Sequence, residues 1–161
     1  MTEYEPRSHR PAQFPRGYRI PESPSGMVSW QWAAERLEAA RNYWLGTTKR
    51  NGAPHAMPVW GLWLDSAVVF STAPNSLKAR NFTRDPRVVV HVDAADDIVI
   101  LEGEVERIEL DEATAELYAA KYEYRPEPPG SEDEGWYRLR PRAAYAWGRD
   151  FPRSVTRFAF D

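Results

Sequence analysis

The sequence predicts a mainly β, α+β fold in which about six antiparallel strands close into a small barrel with two or three flanking helices. Side chains alternate across a strand, and in residues 53–64 both faces are largely apolar, which favours a barrel wall or a subunit interface. The Asn51-Gly52 pair before this segment is typical of a β-hairpin. Further strand patterns return near the C-terminus, where they can complete the barrel.

The first helix is predicted over residues 28–42. Ser29 suits its N-cap, and apolar residues recur at three- and four-residue intervals along one face. Residues 43–49 then form the first strand. The Lys49-Arg50-Asn51-Gly52 sequence predicts the hairpin turn that follows, because Asn-Gly tolerates the positive φ angles of a type I′ turn.

The other elements follow in order along the chain. Strands are predicted at residues 67–72, 88–93, 98–108, 136–140, 143–147 and 155–160, and helices at residues 75–83 and 111–122. Asn75 or Ser76 suits the cap of the second helix, and Asp111 suits that of the third. Pro86 ends the second helix, because the residue before a proline avoids helical angles.

Two segments lack apolar periodicity. Residues 1–26 are rich in Pro, Arg and Ser, and we expect a flexible N-terminal arm. The alternative is an arm that lies across a partner subunit through Phe14, Tyr18 and Ile20. Residues 125–135 form an acidic loop rich in Pro and Gly, which is either mobile or a lid over a pocket.

Composition limits the possible functions. The chain has 161 residues, of which 42% are apolar, enough for one domain that we assign to residues 27–161. A net charge of −3 gives no sign of a nucleic-acid partner. The count of 0 cysteines excludes disulfides, thiolate metal sites and cysteine nucleophiles. No apolar run approaches a membrane span and no signal-peptide core is present, so we expect a cytoplasmic protein.

A basic cluster follows the strand at residues 67–72. A helix start offers unpaired N–H groups and a partial positive charge, and both favour an anion. Lys78 adds a point charge there, and Arg80 adds a planar fork that suits phosphate oxygens. The pattern therefore indicates an anion site, with a solvated helix face as the alternative.

Two stretches carry a family pattern, PHAMPVWGLWLD at residues 54–65 and VVFSTAPNSLKARNFTRDPRVVVHV at residues 68–92. They resemble the split-barrel flavin-binding superfamily that includes pyridoxamine 5′-phosphate oxidases. Within it, the chain is most similar to the actinobacterial reductases that depend on the deazaflavin coenzyme F420. The similarity spans residues 43–108 and is most specific in S-x-K-x-R-N-x-x-R-D-P. It implies a six-stranded antiparallel split β-barrel whose domain, residues 27–161, binds a cofactor.

The resemblance also implies roles for individual residues. It implies phosphate contacts from Ser71, Thr72, Lys78, Arg80 and Asn81. It implies that the ring system lies along Met57, Pro58, Val59 and Trp60. In the oxidases a tryptophan and an arginine ten residues apart contact the flavin, and their counterparts here are Trp147 and Arg157. The alternatives are core packing for Trp60 and a closing strand with surface charge for Trp147 and Arg157.

Two positions depart from the oxidase pattern. The oxidases usually have Ser-Arg-Lys where this chain has Ser76-Leu77-Lys78, so one contact to the phosphate of FMN is missing while the lysine is kept. An arginine that the oxidases tend to carry early in the second strand is also absent, because His55 or Pro54 stands there. This makes a pyridoxal-phosphate substrate a poorer match.

The motifs name no catalytic acid, base or nucleophile and no metal site. The three histidines lack metal-ligand spacing, and neither G-x-S-x-G nor a phosphate-binding P-loop is present. This pattern favours a redox cofactor that supplies the hydride itself. Together with the family resemblance, it implies an oxidoreductase that binds F420 at the interface of a homodimer and transfers hydride to a small unsaturated organic acceptor. The alternatives are an FMN-dependent oxidase or reductase, and a non-catalytic module that binds a flavin or haem.

Overall fold

The computed structural model describes residues 5–161, which form nine strands and three α-helices. The strands are β1 (Arg7–His9), β2 (Tyr43–Thr48), β3 (Pro54–Val59), β4 (Gly61–Leu64), β5 (Ala67–Thr72), β6 (Arg87–Val92), β7 (Ile98–Ile108), β8 (Gly135–Trp147) and β9 (Thr156–Ala159). The helices are α1 (Trp30–Ala39), α2 (Leu77–Arg84) and α3 (Glu112–Tyr122). No helix within residues 5–161 is long and apolar enough to cross a membrane.

The strand pairings close a barrel. β2 pairs with β3, β3 continues past Trp60 into β4, and β4 pairs with β5. β5 pairs with β8, β8 with β7, β7 with β6, and β6 returns to β2, always antiparallel. With β3 and β4 taken as one bent wall, the barrel has six walls, which confirms the predicted fold. β9 and β1 extend the sheet beyond β8.

Two hairpins set the register of the first half. Gly52 N–H donates to Lys49 O at 2.9 Å, which confirms the predicted turn. The predicted type I′ geometry is wrong, because only Gly52 (φ 84°) of the four turn residues has a positive φ. This is the pattern of a type I turn followed by a glycine bulge. Between β4 and β5, Asp65 and Ser66 both have positive φ angles (48° and 57°), as a type I′ turn requires.

Each helix begins at a cap that local sequence predicts. The side chains of Ser29, Ser76 and Asp111 each accept the backbone N–H three residues on, at 3.1, 3.2 and 2.7 Å respectively. α2 begins two residues later than predicted, because Ser76 and not Asn75 is its cap. The cap places Ser76 between the end of β5 and the basic side chains of α2.

The C-terminal strands differ from the prediction. Residues 136–140 and 143–147 are parts of the single strand β8, not separate strands. The pairing of β7 with β8 shifts between Glu102 and Gly103, so that Arg142 is an extra residue on β8. Such a bulge interrupts the alternating pattern without ending the strand. β8 thereby joins β5 at its start to β9 at its end.

The N-terminal segment is attached to the end of the chain. β1 pairs with β9, and the guanidinium of Arg10 donates to four backbone carbonyls, those of Ser23, Ser25, Arg153 and Val155. The predicted flexible arm, residues 1–26, includes residues 1–4, which lie outside the described residues. Flexibility of the arm and the boundary at residue 27 stay predictions.

Two apolar clusters form the core. The larger one fills the barrel and includes Leu45, Phe70 and Leu101, all fully buried. The smaller one lies between α3 and the β4–β5 hairpin, and its members are Leu62, Val69, Leu110, Ala115, Tyr118, Tyr122 and Trp136. The smaller cluster borders the candidate site, so α3 is fixed beside it.

Candidate functional site

A pocket of about 340 Å³ opens where β3 breaks at Trp60. It lies between the ends of β3 and β5, the start of α2, and side chains from α3 and the loop after it. Its lining residues are Pro58, Val59, Trp60, Ser71, Thr72, Lys78, Tyr118, Tyr124 and Glu134. Six of these were predicted from the sequence, and they come together because β3, β5 and α2 lie close together along the chain and all reach this pocket.

Trp60 forms an aromatic wall of this pocket. Trp60 is 43% exposed, and its ring stacks on that of Tyr122, with centroids 4.7 Å apart and planes at 8°. The guanidinium of Arg41 lies 4.8 Å from the Tyr122 centroid and 5.7 Å from that of Trp60. Tyr122 thus holds one face of the indole, while a large part of the ring stays accessible to a ligand.

Backbone contacts at Gly61 fix the position of Trp60. A Cβ at Gly61 would lie 2.8 Å from Val69 O, so only glycine lets β4 approach β5 so closely. Gly61 N–H donates to Tyr122 Oη at 2.8 Å, and Lys121 Nζ donates to Gly61 O at 2.8 Å. Burial, together with the charge of Arg41, lowers the pKa of Lys121 to about 8. The break after Trp60 is therefore held by two side chains of α3.

The opposite end of the pocket carries hydroxyl groups and one cation. Thr72 Oγ1 lies 3.3 Å from Ser76 Oγ, the cap of α2. Ser71 Oγ donates to Glu134 Oε1 at 3.3 Å. Lys78 is half-buried, and its ammonium group makes no ion pair with any residue in the 5–161 range. Hydroxyls, a helix start and a free ammonium suit an anion.

Three predicted residues lie near the pocket without lining it. Met57 is 45% exposed on β3, and Arg80 is exposed on α2. Asn81 is only 2% exposed, and its Nδ2 donates to Thr47 Oγ1 at 3.0 Å. The Asn81 amide therefore joins α2 to β2 inside the protein.

Trp147 and Arg157 lie far from this pocket within one chain. β8 runs 13 residues from Gly135, next to Thr72, to Trp147. At ~3.3 Å per residue the ends are about 40 Å apart along the strand. Trp147 packs on Phe14 with centroids 6.2 Å apart, and Arg157 contacts His9 Nε2 at 2.9 Å.

Sequence reasoning missed three lining residues, Tyr118, Tyr124 and Glu134. Tyr118 falls within the predicted third helix, which was given no part in the site, and Glu134 belongs to the acidic loop, for which a lid was one alternative. Burial, then the charges of Tyr122 and Glu134, raise the pKa of Tyr118, so that its hydroxyl stays neutral. The register of α3 against β4 was the missing information.

A second cavity, of about 580 Å³, forms a groove on the outer face of the barrel. Small and apolar residues of β2, β3 and β6 form much of it, among them Gly46, Ala56 and Val89, and Val89 is 39% exposed. Charges of both signs border it, namely Arg87, Glu102, Glu104 and Arg142. Within residues 5–161, no group of three or more His, Asp or Glu side chains is arranged to hold a metal ion.

The comparisons with solved structures show the same fold. An F420 reductase is 24% identical, with 68% of this chain and 93% of that one covered and a TM-score of 0.57. A conserved hypothetical protein of Mycobacterium tuberculosis is 23% identical, with coverage of 78% and 89% and a TM-score of 0.67. A haem-binding protein of Mycobacterium smegmatis is 22% identical, with coverage of 87% and 59% and a TM-score of 0.61.

No curated protein matches the sequence. The profile of the pyridoxamine 5′-phosphate oxidase family matches residues 30–148, from the start of α1 to the end of β8. That span includes the whole barrel and every residue that lines the pocket. The chain belongs to the pyridoxamine 5′-phosphate oxidase-like family, with the fold of flavin-type oxidoreductases.

Proposed function

We propose that this protein is an oxidoreductase that binds coenzyme F420 and passes hydride to a small unsaturated organic acceptor. One observation carries the proposal. The pocket joins a flat wall, formed by Pro58, Val59 and Trp60, to an anion-binding end with Ser71 and Lys78. A cofactor with a planar ring and a phosphate needs both parts at a fixed separation.

The lining residues fit such a cofactor. Trp60, Tyr118 and Tyr124 offer aromatic surface to a ring, and the backbone of β3 offers hydrogen-bonding groups beside it. Lys78 and the two hydroxyls at residues 71–72 would hold the phosphate. The volume of about 340 Å³ is near the lower limit for a ligand site, so a second surface has to cover part of the cofactor.

The chain's own residues would bind the cofactor, orient its ring and exclude water from it. A bound deazaflavin supplies the hydride when it is reduced. Trp60, fixed by its stacking on Tyr122, would hold the plane of the ring, which limits the acceptor to one approach. Tyr118 is buried, and its raised pKa lets the hydroxyl donate a hydrogen bond but not act as a base near neutral pH. No side chain is assigned a catalytic role.

We infer that the second surface is another copy of the chain. The groove at Gly46, Ala56 and Val89 exposes apolar area between charges of both signs, as a self-complementary two-fold interface needs. Trp147 and Arg157 are too distant to reach the pocket of their own chain. In a symmetric homodimer, the same residues of the other copy could cover it.

We propose F420 rather than FMN as the cofactor for two reasons. Leu77 takes the place of an arginine that would contact the phosphate of FMN, and an F420 reductase is among the proteins of similar fold. An FMN-dependent enzyme is the second candidate. A third candidate is a module that binds a cofactor without turnover, because a haem-binding protein has a similar fold.

Titration of the protein with F420 and with FMN, followed by tryptophan fluorescence, tests the proposal. We expect F420 to bind more tightly than FMN. Lys78→Ala should lower the affinity for F420 about tenfold or more, because a charge-assisted contact to phosphate is lost. Lys49→Ala, in the hairpin after β2, is the matched control and should bind as the wild type does.

The other outcomes of this titration would favour a different function or contradict the proposed site. Preference for FMN would move the protein to the flavin enzymes. Cofactor binding without reduction of any acceptor would favour the non-catalytic module. If neither cofactor binds, or if Lys78→Ala binds F420 unchanged, the proposed site is wrong.

A further inference from the structure

A carboxylate already lies at the anion-binding end of the pocket. Glu134 Oε1 accepts the hydroxyl of Ser71 at 3.3 Å, and Glu134 lines the pocket together with Thr72 and Lys78. A phosphate group bound to Ser71 would therefore meet a negative charge beside its donor. No sequence motif assigned this residue a role.

The backbone on both sides holds Glu134 in place. Its N–H donates to Ser131 Oγ at 3.0 Å, and Gly130 N–H donates to Glu127 O at 2.8 Å, so the loop is a pair of defined turns. On the other side, β8 begins at Gly135, where a Cβ would lie 2.4 Å from Tyr137 Oη. Glu134 is itself half-buried. The carboxylate is thus a built part of the pocket wall.

The charges of the pocket then balance. Among the described residues that line it, Lys78 is the one cation and Glu134 the one carboxylate. Near neutral pH a phosphomonoester such as FMN carries close to two negative charges at its phosphate. A phosphodiester such as F420 carries one there, and its further charges lie along its tail. Each additional charge on the phosphate adds repulsion from Glu134.

We propose that Glu134 is a specificity-determining residue that favours a phosphodiester cofactor over a phosphomonoester. This inference rests on the proposed function, because it assumes that a phosphate-bearing cofactor enters this pocket. Glu134 lowers the affinity for every phosphate, and it lowers the affinity for a dianion more than that for a monoanion. For one additional charge at about 5 Å, Coulomb's law gives about fourfold in bulk water and more at the lower effective dielectric constant near a protein surface, so a difference of about tenfold or more is the expected scale.

The test compares wild type with Glu134→Gln, which removes the charge and keeps the shape and a hydrogen-bonding oxygen. F420, FMN and riboflavin, which has the ring but no phosphate, are titrated into each. We expect FMN affinity to rise about tenfold relative to F420 affinity. Riboflavin affinity should not change, and the gain for FMN should shrink as salt is raised. Glu132→Gln, an exposed position of the same loop, is the matched control.

Three results would overturn the inference, and failure of the proposed function is distinguishable among them. If the cofactors bind but the ratio of FMN to F420 affinity is the same in both proteins, Glu134 does not set specificity, and the proposed function survives. An equal gain for riboflavin would contradict the charge argument in the same way. If neither protein binds any of the three compounds, the proposed function is wrong, and the inference is wrong with it.

Discussion

Trp60 is the residue on which the geometry of the pocket depends. It stands between β3 and β4, at the point where one bent wall of the barrel changes pairing partner from β2 to β5. Tyr122 stacks on its inner face, and the Tyr122 hydroxyl accepts from Gly61 N–H at 2.8 Å. Because Tyr122 fixes one face of the indole, the ring is a rigid surface. Little conformational entropy of the protein is then lost when a ligand binds to it.

Lys121 gives this region a pH dependence that can be measured. Burial and the charge of Arg41 lower its pKa from 10.5 in the unfolded chain to about 8. Between these values the unfolded chain holds a proton that the folded protein has released, so raising the pH stabilises the fold. From pH 7.5 to 9.5, these pKa values give the free energy of unfolding of wild type a gain of about 2 kcal/mol relative to Lys121→Met, and the partial exposure of Lys121 to water lowers the expected gain to about 1 kcal/mol.

Urea denaturation at the two pH values measures this difference, with Lys49→Met as the matched control. The window stops at 9.5 because burial raises the pKa of Tyr43 and Tyr118, and the ionisation of tyrosines in the unfolded chain then lowers stability. Parallel curves for wild type and Lys121→Met would show that Lys121 is not buried as described.

At the residue scale, the sequence predicted those pocket residues that lie on consecutive elements. Ser71, Thr72 and Lys78 are joined by one short corner, so local rules bring them together. Glu134 is 63 residues from its partner Ser71, and no local pattern encodes that contact. The contact between Asn81 and Thr47 was not predictable for the same reason, because Thr47 lies on another strand.

At the scale of elements, the long strand β8 connects the pocket to the far end of the sheet. Its bulge lies opposite Gly103, where a Cβ would be 2.2 Å from Arg140 O and 3.0 Å from Pro141 Cα. Since backbone atoms cannot move aside as a side chain can, only glycine fits. The caps and hairpins were predictable because they are set by residues within a turn of each other, whereas the continuity of β8 depends on β7.

Gly103→Ala should therefore destabilise the protein by about 2 kcal/mol or more, because the added methyl group forces β7 and β8 apart. Urea denaturation measures the loss. Gly17→Ala is the matched control, because nothing lies within 4 Å of the added Cβ there, and its stability should stay near that of wild type. Equal stability of the two variants would contradict the close contact at the bulge.

At the scale of the whole molecule, one chain leaves two concave surfaces open to solvent. The pocket is open on one side, and the groove around Val89 exposes apolar area on the outer face of the same barrel. The sequence predicted a homodimer through its family resemblance and through a strand that is apolar on both faces. Which outer residues meet depends on barrel curvature, which no local pattern specifies.

Val89→Lys should convert a dimer into monomers. In a single chain, the new lysine can pair with Glu102, which lies opposite on β7, so the fold is kept. In a two-fold interface each of the two copies would bury one charged lysine, which is costly. Analytical ultracentrifugation should give a dimer for wild type and a monomer for the variant, with F420 affinity lost as well.

Leu117→Lys is the matched control for that experiment, because Leu117 is an exposed leucine on α3 that does not line the groove. It should remain a dimer. A monomeric wild type, or a Val89→Lys variant that stays dimeric, would show that the groove is not the interface.

The most direct test of the central claim is a crystal structure of the protein grown with F420. The account predicts the phosphate within hydrogen-bond distance of Ser71, Thr72 or Lys78, and the ring along Pro58, Val59 and Trp60. It also predicts a second copy of the chain over the open side of the pocket. Cofactor density elsewhere, for instance in the groove at Gly46, Ala56 and Val89, would contradict the assignment of the site.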